Sequence, residues 1–204
     1  MKTPAAADGR NARRERNRVA VIEAAFALVR EGKTPPAVDD IAERAGVSVS
    51  SIFRNFDGLA DLQRQALDLA HEMWSPSFEV NDADQPLDVR IRSHVRSRVE
   101  LFDEGAALMR IGRARALDHE PMVAGVARLR ARFADQTRAR FATEIEQLTP
   151  ATAADLVAII DTTTSPEAYD LMAAAHSRTS RQISRAWIAA LTLLMNQPAQ
   201  SEEP

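Results

Sequence analysis

An all-α fold is what this sequence predicts, and three observations carry the prediction. Apolar residues recur at steps of three and four along most of the chain, and no segment alternates apolar and polar residues as a half-buried strand would. Aromatic residues make up only 5% of the chain and glycines number seven, which is poor material for β-sheet. Alanine, leucine, arginine and glutamate are abundant instead, and all four favour helix.

The elements follow in order. Residues 1–11 lack periodicity and read as a flexible arm. From Ala12 to Glu31 the positions Val19, Ile22, Phe26 and Val29 form one helical face. Gly32 and Pro35-Pro36 stop that helix. Val38 to Ala45 is a short helix with Asp39 and Asp40 in its first turn, where the helix dipole favours acids. Gly46 suits the left-handed conformation that ends a helix, and Ser48 is a good N-cap for a second short helix running to about Asn55. Asp57-Gly58 then turns the chain into a longer helix, about Leu59 to Trp74.

Ser75-Pro76 and the polar stretch Asn81 to Pro86 read as a loop. Helical patterns follow over Leu87 to about Glu104, with Ile91, Val95, Val99 and Phe102 on one face, and over Ala106 to Leu117. Pro121 begins the longest pattern, which carries Met122, Val126, Leu129, Phe133, Phe141, Ile145 and Leu148 before Thr149-Pro150 breaks it. Ala151 to Thr163 is helical. Ser165-Pro166-Glu167 supplies an N-cap, a first-turn proline and an acid for a helix reaching His176. The last helix covers Ser180 to Asn196. The predicted division is an arm over 1–11, a helix-turn-helix domain over 12–58, a helical domain over 59–196 and a disordered tail over 197–204.

Composition excludes several classes. There is no cysteine, so disulfide and thiolate chemistry are absent and a reducing, cytoplasmic setting fits. No apolar run approaches the roughly 20 residues that span a bilayer, so no membrane partner is expected. The histidines at 71, 94, 119 and 176 lie in separate segments without metal-ligand spacing, and no nucleophile elbow or phosphate-cradling loop occurs. No catalytic residue, metal or cofactor is therefore expected. Net charge is −3, yet Arg10, Arg13, Arg14, Arg16 and Arg18 crowd one segment opposed only by Glu15. Local charge, rather than the total, sets the field that a phosphate meets.

The informative stretch runs from Ala37 to Phe56. Ala42 and Ala45 are small where two short helices must cross closely, and Val47 plugs the angle. Ile41, Ile52 and Phe56 anchor the pair on Phe26 and Val29. The second helix shows Val49, Ser50, Ser51, Arg54 and Asn55 outward, and these are small or polar enough for its tip to enter a major groove about 12 Å wide. This segment resembles the DNA-binding domain of the TetR/AcrR repressors, whose signature is approximately T-V-x-x-I-A-x-x-A-G-V-S-x-x-x-[LI]-Y-x-[YH]-F-x-x-K-x-x-L. The resemblance is strong over residues 15–62 and looser, through helix number and length, over the rest. Ser165 to Asp170 and the closing helix with Ala186-Trp187 also resemble C-terminal halves of that family.

The resemblance implies a dimeric, ligand-responsive repressor that binds a palindromic double-stranded DNA operator and is released by a small, largely hydrophobic effector. It implies Val49, Ser50 and Ser51 at the bases, Phe53 and Asn55 against phosphates, and Ser48 as cap. Phe53 stands where tyrosine is usual, Leu59 where lysine is, Ala37 where threonine is and Asp39 where arginine is common. The change at Ala37 loses a cap, and together the departures weaken the expected phosphate contacts, for which Arg13, Arg14, Arg16 and Arg18 are expected to compensate. Trp74, His94, Arg98, Phe102, Met109, Met122 and Phe133, with Met73 and Phe78 beside them, are the candidate effector residues. Leu156, Ile160, Leu171, Met172, Trp187, Leu191 and Leu194 are the candidate homodimer contacts, as a four-helix bundle. The alternative is a helical DNA-binding or scaffold protein with a solidly packed second domain and no small-molecule sensor.

Overall fold

The computed structural model describes residues 4–33 and 35–196, with side chains for all of these except 4–11, 59, 60 and 121. Its elements are α1 (Pro4–Arg30), α2 (Val38–Ala45), α3 (Val49–Asn55), α4 (Leu59–Met73), a 3-10 turn (Ser75–Phe78), α5 (Leu87–Arg115), α6 (Glu120–Arg140), α7 (Ala142–Ile145), α8 (Pro150–Thr163), α9 (Pro166–Ala174) and α10 (Ser180–Met195). Among the described residues there is no strand. The chain forms two compact units, one of Met1–Met73 with Ala107–Val126 and one of Trp74–Ala106 with Ala127–Pro204.

The first unit is organised around α1. Its Val21, Ile22, Phe26, Leu28 and Val29 are buried, as are Ile41 and Ala42 of α2, Ile52 of α3, Phe56 and Leu62. α1 begins at Pro4, where the sequence reading placed a structureless arm up to residue 11. The physical reason is local: proline is tolerated in a first turn, and Ala5-Ala6-Ala7 are the best helix formers. α4 also belongs to this unit instead of opening the second one, because it buries Leu62 and hydrogen-bonds α1 through Gln65.

The second unit has an aromatic centre. Phe102 lies 5.7 Å from Phe133, 5.6 Å from Tyr169 and 6.3 Å from Trp187, ring centroid to centroid. Phe78 meets Phe133 at 5.1 Å. Such tilted and edge-to-face pairs add about 0.5–1.5 kcal/mol each beyond area burial. The helix starts obey their caps: Thr149 accepts from the Thr152 amide, Ser165 from the Ala168 amide with Pro166 following, and Thr179 and Gln182 form a reciprocal capping box.

Two boundaries differ from expectation. α5 is one helix through Gly105, where two pieces are predicted. An interior glycine costs about 1 kcal/mol against alanine, and burial of Leu101, Phe102, Ala106 and Met109 around it outweighs that. The pattern from Pro121 to Leu148 is instead broken at Phe141, whose φ of −113° and ψ of 26° leave the helical region. Phe141 is fully buried there, against the His94 ring at 5.4 Å and under the Arg90 guanidinium. The disordered tail expected over 197–204 lies outside the described residues.

Candidate nucleic-acid interface

The turn between α2 and α3 is built by Gly46. Its φ of 66° is left-handed, and its amide and that of Val47 close the last turn of α2 on the Glu43 and Ala42 carbonyls. A side chain there would meet no neighbour within 4 Å, so the glycine answers to backbone conformation alone. Ala37 begins α2 without a side-chain cap bond, as its lack of a hydroxyl requires. α3 has seven residues and is therefore about 10 Å long.

The tip of α3 is a small hydrogen-bonded cluster. Ser48 Oγ accepts from the Ser51 amide at 3.2 Å and lies 3.0 Å from Ser50 Oγ and 2.9 Å from Ser51 Oγ. Arg54 donates to Ser51 Oγ at 2.8 Å. Ser50, Phe53 and Arg54 are exposed, Val49, Ser51 and Asn55 half-buried, and Ile52 and Phe56 fix the opposite face inside. An exposed phenyl ring at Phe53, 56% accessible, is notable beside a cluster otherwise polar.

The arginines of α1 divide by environment. Arg13, Arg14 and Arg16 are exposed, and Arg14 donates to the Arg54 carbonyl at 3.2 Å, tying α1 to the end of α3. Arg18 differs: it is half-buried, donates through Nε to Gln65 Oε1 at 2.9 Å and lies 5.8 Å from the centre of the Phe56 ring. Gln65 in turn donates to Asp61 Oδ2, which also accepts from the Asp57 amide. This chain from α1 to the α3–α4 turn takes up part of the Arg18 guanidinium, which Arg13 and Arg16 do not share among the described contacts. Local charge could not show that, since Arg18 lies four residues from Arg14 on the same side of α1. The Leu59 side chain lies outside the described residues.

The expected effector residues are all buried. Trp74, His94, Arg98, Phe102 and Phe133 belong to the second unit, Met109 and Met122 to the first, and none is more than 6% exposed. Met73 is exposed and Phe78 half-buried. His94 and Arg98 sit in a polar layer of the second unit. His94 Nε2 lies 3.2 Å from Thr164 Oγ1, and Arg98 donates to Asp161 Oδ1, Thr137 Oγ1 and the Phe133 carbonyl. Arg98 also lies 4.0 Å from the centre of the Phe133 ring, which compensates part of its lost hydration. Burial pulls the Arg98 pKa down to about 9 against the pull of Asp161, which leaves it charged at neutral pH. A cleft of about 280 Å³ opens elsewhere in this unit, lined by none of the expected residues but by Arg96, Glu100 and Arg140 among others.

The expected dimer contacts split as well. Ile160, Trp187 and Leu191 are at most 2% exposed within their own unit, Trp187 edge-on to Phe102, so they are core and not interface. Their helices turn an apolar stripe inward, and periodicity alone cannot tell which partner covers it. Leu171 is exposed and Leu156, Met172 and Leu194 are half-buried. Sequence reasoning missed Ile159 and Leu193, which are 48% and 71% exposed. Leu193 shares a face with Ala186, Ala189 and Ala190, all exposed.

Among the described residues no three histidine, aspartate or glutamate side chains gather as a metal site, and no helix is long and apolar enough to cross a membrane. No family model matches the chain, and no curated protein matches it by sequence. Solved structures do match. A TetR-family transcriptional regulator from Rhodococcus sp. aligns at a TM-score of 0.60 and 19% identity, over 89% of this chain and 100% of the other. The multidrug binding protein EbrR, solved with imidazole, gives 0.62 and 21% over 90% and 97%. A transcriptional regulator from Rhodococcus sp. Rha1 gives 0.68 and 16% over 89% and 95%. At these identities the likeness is one of architecture, and the chain has the all-helical fold of a TetR-family transcriptional regulator.

Proposed function

We propose that this protein is a transcriptional regulator of the TetR/AcrR kind, a cytoplasmic, non-catalytic homodimer that represses by binding an inverted-repeat operator and leaves it when a small molecule binds. The observation that carries this reading is the α2–α3 unit. A left-handed Gly46 and the N-cap Ser48 present a short helix whose exposed tip is Ser50 and its serine neighbours, small enough to approach base edges. Val49, Ser50 and Ser51 read the bases, and Arg54, Asn55, Arg13, Arg14 and Arg16 serve the phosphates. Phe53, lacking a hydroxyl, packs on the sugar-phosphate surface.

Dimerisation supports the symmetry of the operator. A single helix-turn-helix makes too few phosphate contacts for tight binding, and two copies read half-sites about 34–36 Å apart. The exposed stripe of Ala186, Ala190 and Leu193 on α10, and the exposed Ile159 on α8, are the apolar residues that a two-fold contact between copies would cover.

Selection of bound fragments from random duplex DNA tests the reading. An enriched inverted repeat is the expected product, with affinity that falls steeply as salt rises. Fragments without symmetry, or no enrichment at low salt, would refute it. The buried packing of Phe102, Phe133, Tyr169 and Trp187 favours a second reading, a DNA-binding protein whose second unit senses nothing. Operator complexes that no ligand ever weakens would support that one.

A further inference from the structure

The cleft in the second unit belongs to no expected contact, yet its walls are specific. Arg96, Ser97 and Glu100 of α5 line it, together with Glu79 and Asp82 from the segment before α5 and Arg140 from the end of α6. Its volume of about 280 Å³ equals the share of about nine waters in the liquid. That is the small end of ligand pockets.

Arg140 is the built part of the site, only 4% exposed. It donates from Nε to Asp82 Oδ1 at 3.1 Å, from one terminal nitrogen to Ser97 Oγ at 3.3 Å and from the other to the Glu79 carbonyl at 3.3 Å. Each terminal nitrogen carries two protons, so each keeps a donor beyond these bonds. The second carboxylate oxygen of Asp82 is buried and has no hydrogen-bond partner. A buried acceptor in that state calls for a donor.

The rim is complementary in the same sense. Arg96 is exposed and donates to Ser93 Oγ at 3.0 Å. Glu100 stands one helical turn further on, also exposed. Neither engages an opposite charge among the described residues. Arg140 has its pKa lowered by burial first, against the pull of Asp82, with a smaller contribution from the nearby Arg96, and an anion between the two guanidiniums would offset both. A plain anion would face Glu79, Asp82 and Glu100, and a plain cation would face two arginines. A molecule with both charges meets both needs.

We propose that this cleft binds a small zwitterion of amino-acid size, its carboxylate between Arg96 and Arg140 and its ammonium on Asp82 and Glu100. As the identity of the effector this rests on the sensor reading above, although binding itself does not.

Calorimetric titration of the full-length protein with each standard L-amino acid at millimolar concentration tests it. Saturable binding by at least one is expected. Its N-acetyl derivative and its carboxamide, which each lack one charge, are expected to bind about tenfold or more weakly. Arg96→Gln and Glu100→Gln change exposed side chains and should preserve the fold, checked by circular dichroism. Arg96→Gln should weaken the free amino acid while leaving the carboxamide unchanged, and Glu100→Gln should do so while leaving the N-acetyl form unchanged. No binding by any amino acid overturns the proposal, and so does binding that neither derivative nor either variant alters. The two readings fail separately. An amino acid that binds as described without changing operator affinity keeps the cleft and removes the sensor. A different compound that releases the operator equally from wild type and both variants keeps the sensor and overturns the cleft as its site.

Discussion

At position 48 a hydroxyl accepts from the Ser51 amide and touches the hydroxyls of Ser50 and Ser51, so three small side chains share the helix tip. That sharing makes the tip compact and also separates its two duties. The cap uses the Ser51 backbone, whereas the proposed base reading would use side chains. Ser51→Leu should therefore keep the cap and the fold but hold α3 away from the groove, lowering operator affinity by about tenfold or more in a filter or anisotropy assay. Gly46→Ala separates the other way: with no neighbour within 4 Å of the added carbon, the cost is the left-handed backbone, about 1–2 kcal/mol in a urea melt. The arginines divide likewise. Arg13 and Arg16 are exposed on α1, so replacing either by alanine should reduce the slope of log affinity against log salt by about one each. Arg18→Ala should leave the slope unchanged and instead cost stability, because its partner is Gln65. The composition of this segment was legible from sequence; which of its members faced inward was not, since neighbouring arginines on one helix differ only by packing against elements distant in sequence.

Elements were most legible where a chemical stop or start is written in the chain. Gly46-Val47-Ser48, Ser165-Pro166 and Thr149-Pro150 each end or begin a helix at the expected place, because a cap is a local hydrogen bond. Where tertiary burial decides, local signals misled. Gly105 did not break α5, and Phe141 did break the α6 pattern although it is an ordinary apolar step in it. The same limit governs the α8 and α10 faces. Trp187 and Leu191 looked like interface residues by being large and apolar, yet they complete the unit's own core, while the free stripe is made of alanines with Ile159 and Leu193. Small residues let helices approach closely, which suits a helical bundle between two copies. Leu193→Arg places a charge in that stripe without touching the core. On the proposed dimer reading it should lower the mass seen by light scattering to that of a monomer, and operator affinity with it, whereas Trp187→Arg should unfold the second unit outright.

At the scale of the whole molecule, stability should depend on pH through His94. This imidazole is fully buried, with Phe141 against its ring and the Arg98 and Arg140 guanidiniums nearby. Thr164 Oγ1 spends its proton on the Ile160 carbonyl at 2.8 Å, so His94 Nε2 must be the donor in their contact and Nδ1 is left bare. Burial first, then repulsion from Arg98 and Arg140, hold its pKa well below 6.5. The unfolded chain therefore takes up a proton as pH falls through 6.5, and the folded chain does not. With more protons bound in the unfolded state, stability is complete above that pH and falls beneath it, by up to about 1.4 kcal/mol per pH unit. Asp161 acts with the opposite sign. Burial raises its carboxyl above the 3.8 of an ordinary aspartate, so the folded state holds its proton longer and gains stability as the solution becomes more acid. In urea melts between about pH 7 and pH 5 the His94 contribution, measured as wild type against His94→Gln, should fall as the pH falls. His94→Gln, which has no proton to take up, should start less stable and lose less over the same range. A wild-type slope equal to that of the variant would mean that His94 is protonated inside the fold, and the polar layer it shares with Arg98, Asp161 and Thr164 would need a different charge assignment.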